Sequence, residues 1–223
     1  MPEIPEKPSP SDPAKPVAVL YGTFDNHTRL IAERVAADLS ALGFPVEIHN
    51  VRGLKPFAPG NYAAAVLAAP VHMGKHEKAM VEFVKEHRDS LVLLPTAFVS
   101  VSLSEAGAER RSEAPEKHAQ FVADVNMMLK CFFDETGWRP SVVMPVAGAL
   151  SYSHYNFLVR FVMKQIARSV GGGTDTSRDY EYTDWDALDA FVKEFAQKIP
   201  AAAKPPGTEA ERKVTATEVL TTY

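Results

Sequence analysis

The stretch that most limits how this chain can fold is a run of five apolar residues, Val17 to Tyr21, that passes into a polar turn. A run of this length predicts a strand buried on both faces, as in the middle of a parallel sheet. The turn carries Gly22 and Asp25, and a helix is expected to begin near Thr28. Its first backbone amides have no partner within the helix and point back at the turn. Amides, hydroxyls and the positive end of the helix dipole together predict an anion site that needs no lysine.

The same alternation of strand and helix continues along the chain. The first helical pattern ends at Gly43, where a left-handed residue commonly closes a helix. Pro70 is expected to end the third strand, and Pro145 favours an edge position or a bulge in the last one. This order predicts a three-layer α/β sandwich around a parallel sheet with right-handed crossovers. The further strands are predicted at 46–51, 63–69, 96–102 and 142–150, and the further helices at about 77–88, 157–170 and from a capping box at 183–186.

The domain organisation follows from where these patterns begin and stop. Residues 1–15 are rich in proline and are expected to be a disordered lead, and residues 200–223 are expected to be a loose tail. Residues 16–199 form one domain, since a chain of 223 residues with 46% hydrophobic residues suits one core. The stretch at about 104–141 interrupts the alternation and is interpreted as a helical insertion before or within the region of the last strand.

Charge and cysteine content narrow the class of protein. A formal net charge of -4 gives no reason to expect nucleic acid as a partner. The single Cys131 cannot form an internal disulfide and fits a reducing compartment, so we expect a cytoplasmic protein. No run of about 20 apolar residues is present, which argues against a membrane-spanning helix. The segment 157–170 combines an apolar side with Arg160, Lys164 and Arg168, and this pattern allows a peripheral contact with the inner membrane.

Four loops leave the carboxyl ends of predicted strands, at Gly22, Pro70, Ser100 and Ala147. In a parallel α/β sheet these ends face one crevice, so the loops are expected to converge there. The crevice would suit a flat nucleotide.

The residues of these loops resemble a known family. The first loop, Thr23-Phe24-Asp25-Asn26-His27-Thr28, is similar at its outer threonines to the phosphate loop of flavodoxins, and Asn26 stands where glycine is common. Asparagine tolerates a left-handed backbone well, so the turn can keep its shape. Later segments resemble the flavodoxin-like, menaquinone-dependent protoporphyrinogen oxidase family over roughly 16–199. These segments are Trp138-Arg139-Pro140, Ala147-Gly148-Ala149-Leu150-Ser151-Tyr152, Gly172-Gly173-Thr174-Asp175-Thr176 and Glu181-Tyr182-Thr183-Asp184-Trp185.

The resemblance implies a flavodoxin-like sheet of order 2-1-3-4-5, bound flavin mononucleotide (FMN), oxidation of a porphyrinogen-type substrate and electron transfer to a quinone. No acid or base triad is expected, and His72, His76 and His154 are candidates for proton relay near neutral pH. No metal site is predicted. The implied FMN-binding residues are Thr23, Phe24, Asp25, Asn26, His27, Thr28, Pro70, Val71, His72, Met73, Gly74, Ser100, Val101, Ser102, Leu103, Ser104, Gly148, Ala149, Leu150 and Tyr152.

Two other classes of protein remain open from the residues. A flavodoxin-type electron carrier would share the flavin but would not explain the insertion or the basic helix. An interaction protein that kept the fold and lost the cofactor would fit the altered middle of the first loop.

Overall fold

The computed structural model describes residues 14–23, 26–54, 57–109, 115–150 and 180–204. The strands are β1 (Val17–Tyr21), β2 (Val46–Asn50), β3 (Ala64–His72), β4 (Lys75–His76), β5 (Thr96–Ser102), β6 (Val142–Ala147), β7 (Ala149–Leu150) and β8 (Tyr180–Glu181). The helices are α1 (Asn26–Ala41), α2 (Lys78–Leu91), α3 (Leu103–Glu109), α4 (Pro115–Thr136) and α5 (Trp185–Ala196). Short 3₁₀ turns span Pro59–Asn61 and Ala201–Ala203. No helix among these described residues is long and apolar enough to cross a bilayer.

The main sheet has the order β2-β1-β3-β5-β6, and all of its strands on this path are parallel. If the parallel strands alone are numbered, this is the expected order 2-1-3-4-5. The predicted fold class is therefore confirmed. The pair β7 and β8 forms a separate antiparallel ribbon beyond the end of β6.

Helices cover both faces of the sheet, and β1 shows why. Val17 and Val19 belong to the apolar cluster under α1 and α5, whereas Ala18 and Leu20 belong to the cluster under α2 and α4. Side chains alternate between the faces of a strand, so a strand between two helical layers must be apolar at every position. This is the physical basis of the continuous apolar run.

Pro70 does not end the third strand, contrary to the expectation from sequence. β3 continues to His72 and turns back into β4. The Pro70 carbonyl accepts a hydrogen bond from the Glu77 amide at 3.0 Å. The Glu77 carbonyl in turn accepts from Met80 and Val81 in α2, so it needs no donor from residue 70. The strand tolerates proline here because no partner requires its missing N–H.

Pro145 lies on the edge strand β6, as predicted. The Gly148 amide donates to the Ser102 carbonyl on β5. Backbone N–H and C=O groups of successive residues point to opposite sides of a strand, so Pro145 and Ala147, at odd-numbered positions, direct theirs to the outer edge. The missing N–H of Pro145 therefore leaves no gap in the ladder.

Two helices fill the stretch before β6 that was interpreted as an insertion. α3 begins directly after β5, so Leu103 and Ser104 open a helix and not a loop, contrary to expectation. α4 buries Val125, Met128 and Phe132, and Phe132 belongs to the apolar cluster on one face of the sheet, so the C-terminal half of α4 is the crossover helix between β5 and β6.

The ends of the outer helices differ in detail from the sequence expectations. Gly43 closes α1 with a φ of 87°, as predicted. The N-cap of α5 is Asp184, whose carboxylate accepts from the Ala187 amide at 2.9 Å. Thr183, the residue expected at the cap, directs its hydroxyl elsewhere. The Arg34 guanidinium joins α1 to α5 through bonds of 2.9 and 2.5 Å to the two carboxylate oxygens of Asp189.

Candidate functional site

A cleft opens where β1, β3, β5 and β6 reach their carboxyl ends. It is open on one side and holds about 460 Å³ of empty space, part of which is open solvent. All four predicted loops contribute to it. The described residues that line it are His27, Thr28, Pro70, Val71, His72, Val101, Ser102, Leu103, Gly148 and Ala149, and each of them was a predicted site residue.

The first wall is the start of α1. Thr28 is 2% exposed and lines the cleft, and Thr23 at the end of the β1 turn is 7% exposed. The helix begins at Asn26, two residues earlier than expected. Asn26 is therefore the first residue of α1 and not a residue of the turn before it. Phe24 and Asp25, the middle of the predicted phosphate loop, lie outside the described residues.

The second wall is the hairpin of β3 and β4. Pro70, Val71 and His72 line the cleft, whereas Met73 and Gly74 form the two-residue turn beyond it. Both turn residues have positive φ, 52° and 76°, which is the type I′ geometry of tight hairpins. The Met73 side chain is fully exposed and does not line the cleft.

The third and fourth walls come from β5 and from the residues after β6. Val101, Ser102 and Leu103 line the cleft, while Ser100 and Ser104 do not. Gly148 and Ala149 line the opposite side. Leu150 pairs with Tyr180 in the ribbon of β7 and β8. Tyr152 and His154 lie outside the described residues.

The candidate histidines occupy different environments. His72 is exposed and lines the cleft. His76 is 7% exposed, its Nε2 lies 2.8 Å from Ser100 Oγ, and burial lowers its pKa to about 4. It does not line the cleft, and at neutral pH it is an uncharged ring packed between Phe98 and Phe132.

The segments that form the cleft align with known proteins. Residues 18–177 match the family described as the flavodoxin domain. The protoporphyrinogen IX dehydrogenase (quinone) of Escherichia coli strain K12 is 34% identical over 178 residues, which cover 80% of this chain and 93% of that protein. A protein of the same name from Leishmania major is 29% identical over 188 residues, covering 84% of this chain and 77% of that protein.

This chain belongs to the flavodoxin-like protoporphyrinogen dehydrogenase family. The family assignment predicted from the loop motifs is confirmed, and FMN is the cofactor that it implies.

The cleft fits the cofactor that this family implies. The described lining residues include no carboxylate that would repel a phosphate dianion. The first amides of α1 and the buried hydroxyl of Thr28 supply donors at the positive end of the helix dipole. Apolar side chains of Val71, Val101 and Leu103 offer surfaces for a flat ring. The cleft therefore has hydrogen-bond donors that suit a phosphate at one end and apolar walls along it.

Charged groups next to the cleft have shifted pKa values. Burial raises the pKa of Glu105 to about 7, and the neighbouring Glu109 carboxylate adds to the shift. The pKa of Glu109 is also raised, first by burial and then by Asp184. Part of the negative charge of α3 is consequently neutralised near pH 7, which reduces its repulsion of an anionic ligand.

Sequence reasoning missed the role of Thr183. Its hydroxyl donates to the Ala147 carbonyl at 2.8 Å. His27 Nε2 lies 2.8 Å from Thr183 Oγ1. The capping-box pattern at 183–186 is a local signal, and it carries no information on a partner 156 residues away.

Proposed function

We propose that this chain is an FMN-dependent oxidoreductase that accepts electrons from a porphyrinogen-type substrate and passes them to a quinone. The observation that carries the proposal is the cleft at the carboxyl ends of the parallel strands. The N-terminus of α1, whose free backbone amides can bind a phosphate, lies at one end of this cleft. The names of the relatives that align over most of the chain support both the substrate class and the quinone acceptor.

Residues of the first wall would hold the cofactor phosphate. The hydroxyls of Thr23 and Thr28 and the amides at the start of α1 are hydrogen-bond donors, which a dianion requires. The walls made by 70–72, 101–103 and 148–149 would enclose the ring and exclude water from it. When bound, the isoalloxazine supplies the electron transfer chemistry.

Oxidation of a porphyrinogen also releases protons, which need an acceptor near the cleft. His72 has the position for this role, because it is exposed at the cleft and an imidazole nitrogen can accept a proton. His76 lies away from the cleft lining, so the proposal assigns the relay to His72. His154, the third candidate, stays a prediction from sequence.

Contact with a membrane surface is a separate part of the proposal. A quinone acceptor is a membrane component, and the basic segment 157–170 has the pattern of a helix that lies on anionic lipid. Its residues lie outside the described structure. Sedimentation with anionic and with neutral phospholipid vesicles tests this part, since equal binding to both would contradict an electrostatic contact.

Titration of the purified protein with FMN, followed by quenching of flavin fluorescence, tests the cofactor site. We expect saturable binding, about tenfold weaker for Thr28→Ala because one hydrogen bond to a charged group is lost. Thr28→Ser keeps the hydroxyl and should bind like the wild type. An unchanged affinity of Thr28→Ala would contradict the assigned phosphate site.

Anaerobic incubation of the FMN-loaded protein with protoporphyrinogen and a menaquinone analogue tests the reaction. Porphyrin fluorescence should increase faster than in a protein-free control. A flavin-loaded protein that gives no increase over that control would be an electron carrier, and the oxidase assignment would be wrong.

A further inference from the structure

His27 and Thr183 are 156 positions apart in the chain, and their side chains are hydrogen-bonded. His27 Nε2 lies 2.8 Å from Thr183 Oγ1, and the same oxygen lies 2.8 Å from the Ala147 carbonyl. The three groups form a chain from the start of α1 to the end of β6. We call it the His27–Thr183 clasp.

The chemistry of the hydroxyl sets the direction of both bonds. A carbonyl can only accept, so the single hydroxyl proton of Thr183 is directed at Ala147. The Thr183 oxygen must then accept from His27, which places a proton on Nε2 of the imidazole. Burial lowers the pKa of His27 and so favours the neutral ring, with Glu181 opposing the shift.

The clasp connects opposite walls of the cleft. His27 and Thr28 line one wall, and Gly148 and Ala149, which follow the clasp residue Ala147, line the other. β1 and β6 are separated in the sheet by β3 and β5, and three strand spacings correspond to roughly 14 Å.

Neighbouring contacts hold both ends of the clasp in place. The Tyr182 amide donates to the Gly148 carbonyl at 3.2 Å, which keeps Thr183 beside the end of β6. The ring of Trp185 meets His27 edge-on, with 6.2 Å between centroids. The donor and the acceptor are thus oriented by packing before any ligand arrives.

We propose that the His27–Thr183 clasp holds the phosphate-binding start of α1 at a fixed distance from the opposite wall, so that Thr183 is a positioning residue for FMN. The proposal rests on the proposed function of the cleft. Thr183 is not among the described lining residues, and it acts through His27. A cleft whose walls are already fixed loses less conformational entropy when it binds a ligand.

FMN titrations of Thr183 variants test the clasp. Thr183→Val keeps the shape of the side chain and removes both hydrogen bonds, and its FMN affinity should fall about tenfold. Thr183→Ser keeps the hydroxyl and should restore the wild-type affinity. Thr96→Val is the matched control. It makes the same change at a buried threonine that lies at the amino end of β5, away from the cleft.

A double-mutant cycle separates positioning from general stability. In the His27→Ala background, Thr183→Val should have no further effect on FMN affinity, because the clasp is already broken. Fully additive losses, or a Thr183→Val variant that melts earlier without the cofactor but binds FMN as tightly as the wild type, would overturn the proposal. Wild-type protein that binds no FMN would instead refute the proposed function.

Discussion

Burial sets the protonation behaviour of His76. His72 lies at the open cleft, whereas His76 is enclosed by Phe98 and Phe132 with ring centroids 5.3 and 4.8 Å away. An imidazolium in that apolar setting would lose its hydration without gaining a carboxylate partner, so the pKa of His76 is lowered to about 4. Two histidines four residues apart therefore lie in different environments.

The lowered pKa of His76 predicts how the stability of the protein depends on pH. The unfolded chain takes up a proton at His76 near the ordinary pKa of 6.5, but the folded protein does so only near 4. Stability is therefore lost as the pH falls through this window. Between pH 7 and pH 4, the free energy of unfolding should fall further for the wild type than for His76→Gln. The difference between the two decreases should be up to about 3 kcal/mol.

Urea unfolding at several pH values, followed by circular dichroism, measures this difference. Ser100→Ala is the control, because it removes the hydrogen-bond partner and leaves the buried imidazole in place. That variant should be less stable overall and should retain the acid sensitivity. Equal pH dependence of the wild type and His76→Gln would show that burial of this ring does not set the acid response.

At the scale of elements, the contact between α3 and α4 is close enough to require a glycine. A Cβ added at Gly107 would lie 2.5 to 2.7 Å from ring atoms of Phe121, which no real packing allows. α3 carries Leu103 at its first turn, and Leu103 lines the cleft. The position of this wall therefore depends on how closely the two helices pack.

Gly107→Ala tests this contact, because two effects of opposite sign compete. Alanine favours a helix over glycine by about 1 kcal/mol. Overpacking against an aromatic ring costs about 1 to 3 kcal/mol. We expect a net loss of about 1 kcal/mol in the free energy of unfolding, measured by urea denaturation.

The matched variants show whether Phe121 is the cause. Gly60→Ala introduces a methyl group with no atom within 4 Å, so it should not destabilise by overpacking. Combining Gly107→Ala with Phe121→Ala should remove the clash, so the two changes should be non-additive. A stabilised Gly107→Ala variant would mean that helix propensity exceeds the packing cost.

At the scale of the whole molecule, the cleft is built from segments spread along most of the chain. His27 at the start of α1 and Ala149 after β6 both line it, and the His27–Thr183 clasp joins their walls. A ligand that bridges these segments can bind only the folded state. Binding must therefore stabilise the fold as a unit.

Thermal unfolding with and without FMN measures this coupling. At a free concentration of 100 times Kd, ligand binding contributes about 2.7 kcal/mol, which corresponds to roughly 5 to 10 °C in Tm for a domain of this size. Riboflavin lacks the phosphate and should raise Tm less. An equal increase with riboflavin would mean that the start of α1 does not bind the phosphate.

Much of the architecture followed from local patterns. The apolar run at Val17 to Tyr21 predicts a central strand, because only a strand covered on both faces needs apolar residues at successive positions. Gly43 predicts the end of α1, and of the two alternatives that Pro145 indicates, an edge position or a bulge, the structure has the edge strand. Since the carboxyl ends of parallel strands share one edge of the sheet, the four loops had to meet, and every described lining residue of the cleft belongs to them.

Only the tertiary structure decided how individual side chains are used. Pro70 continues its strand because Glu77 finds its donors in α2, and His76 is buried because α4 packs over it. Thr183 does not cap α5, since its hydroxyl donates to the Ala147 carbonyl and accepts a hydrogen bond from His27 Nε2. Each outcome depends on a contact between segments far apart in sequence, and helix or strand periodicity reports only on neighbours within a few residues. The sequence alone determined the sheet and the location of the cleft, and long-range packing determined which residues hold its walls.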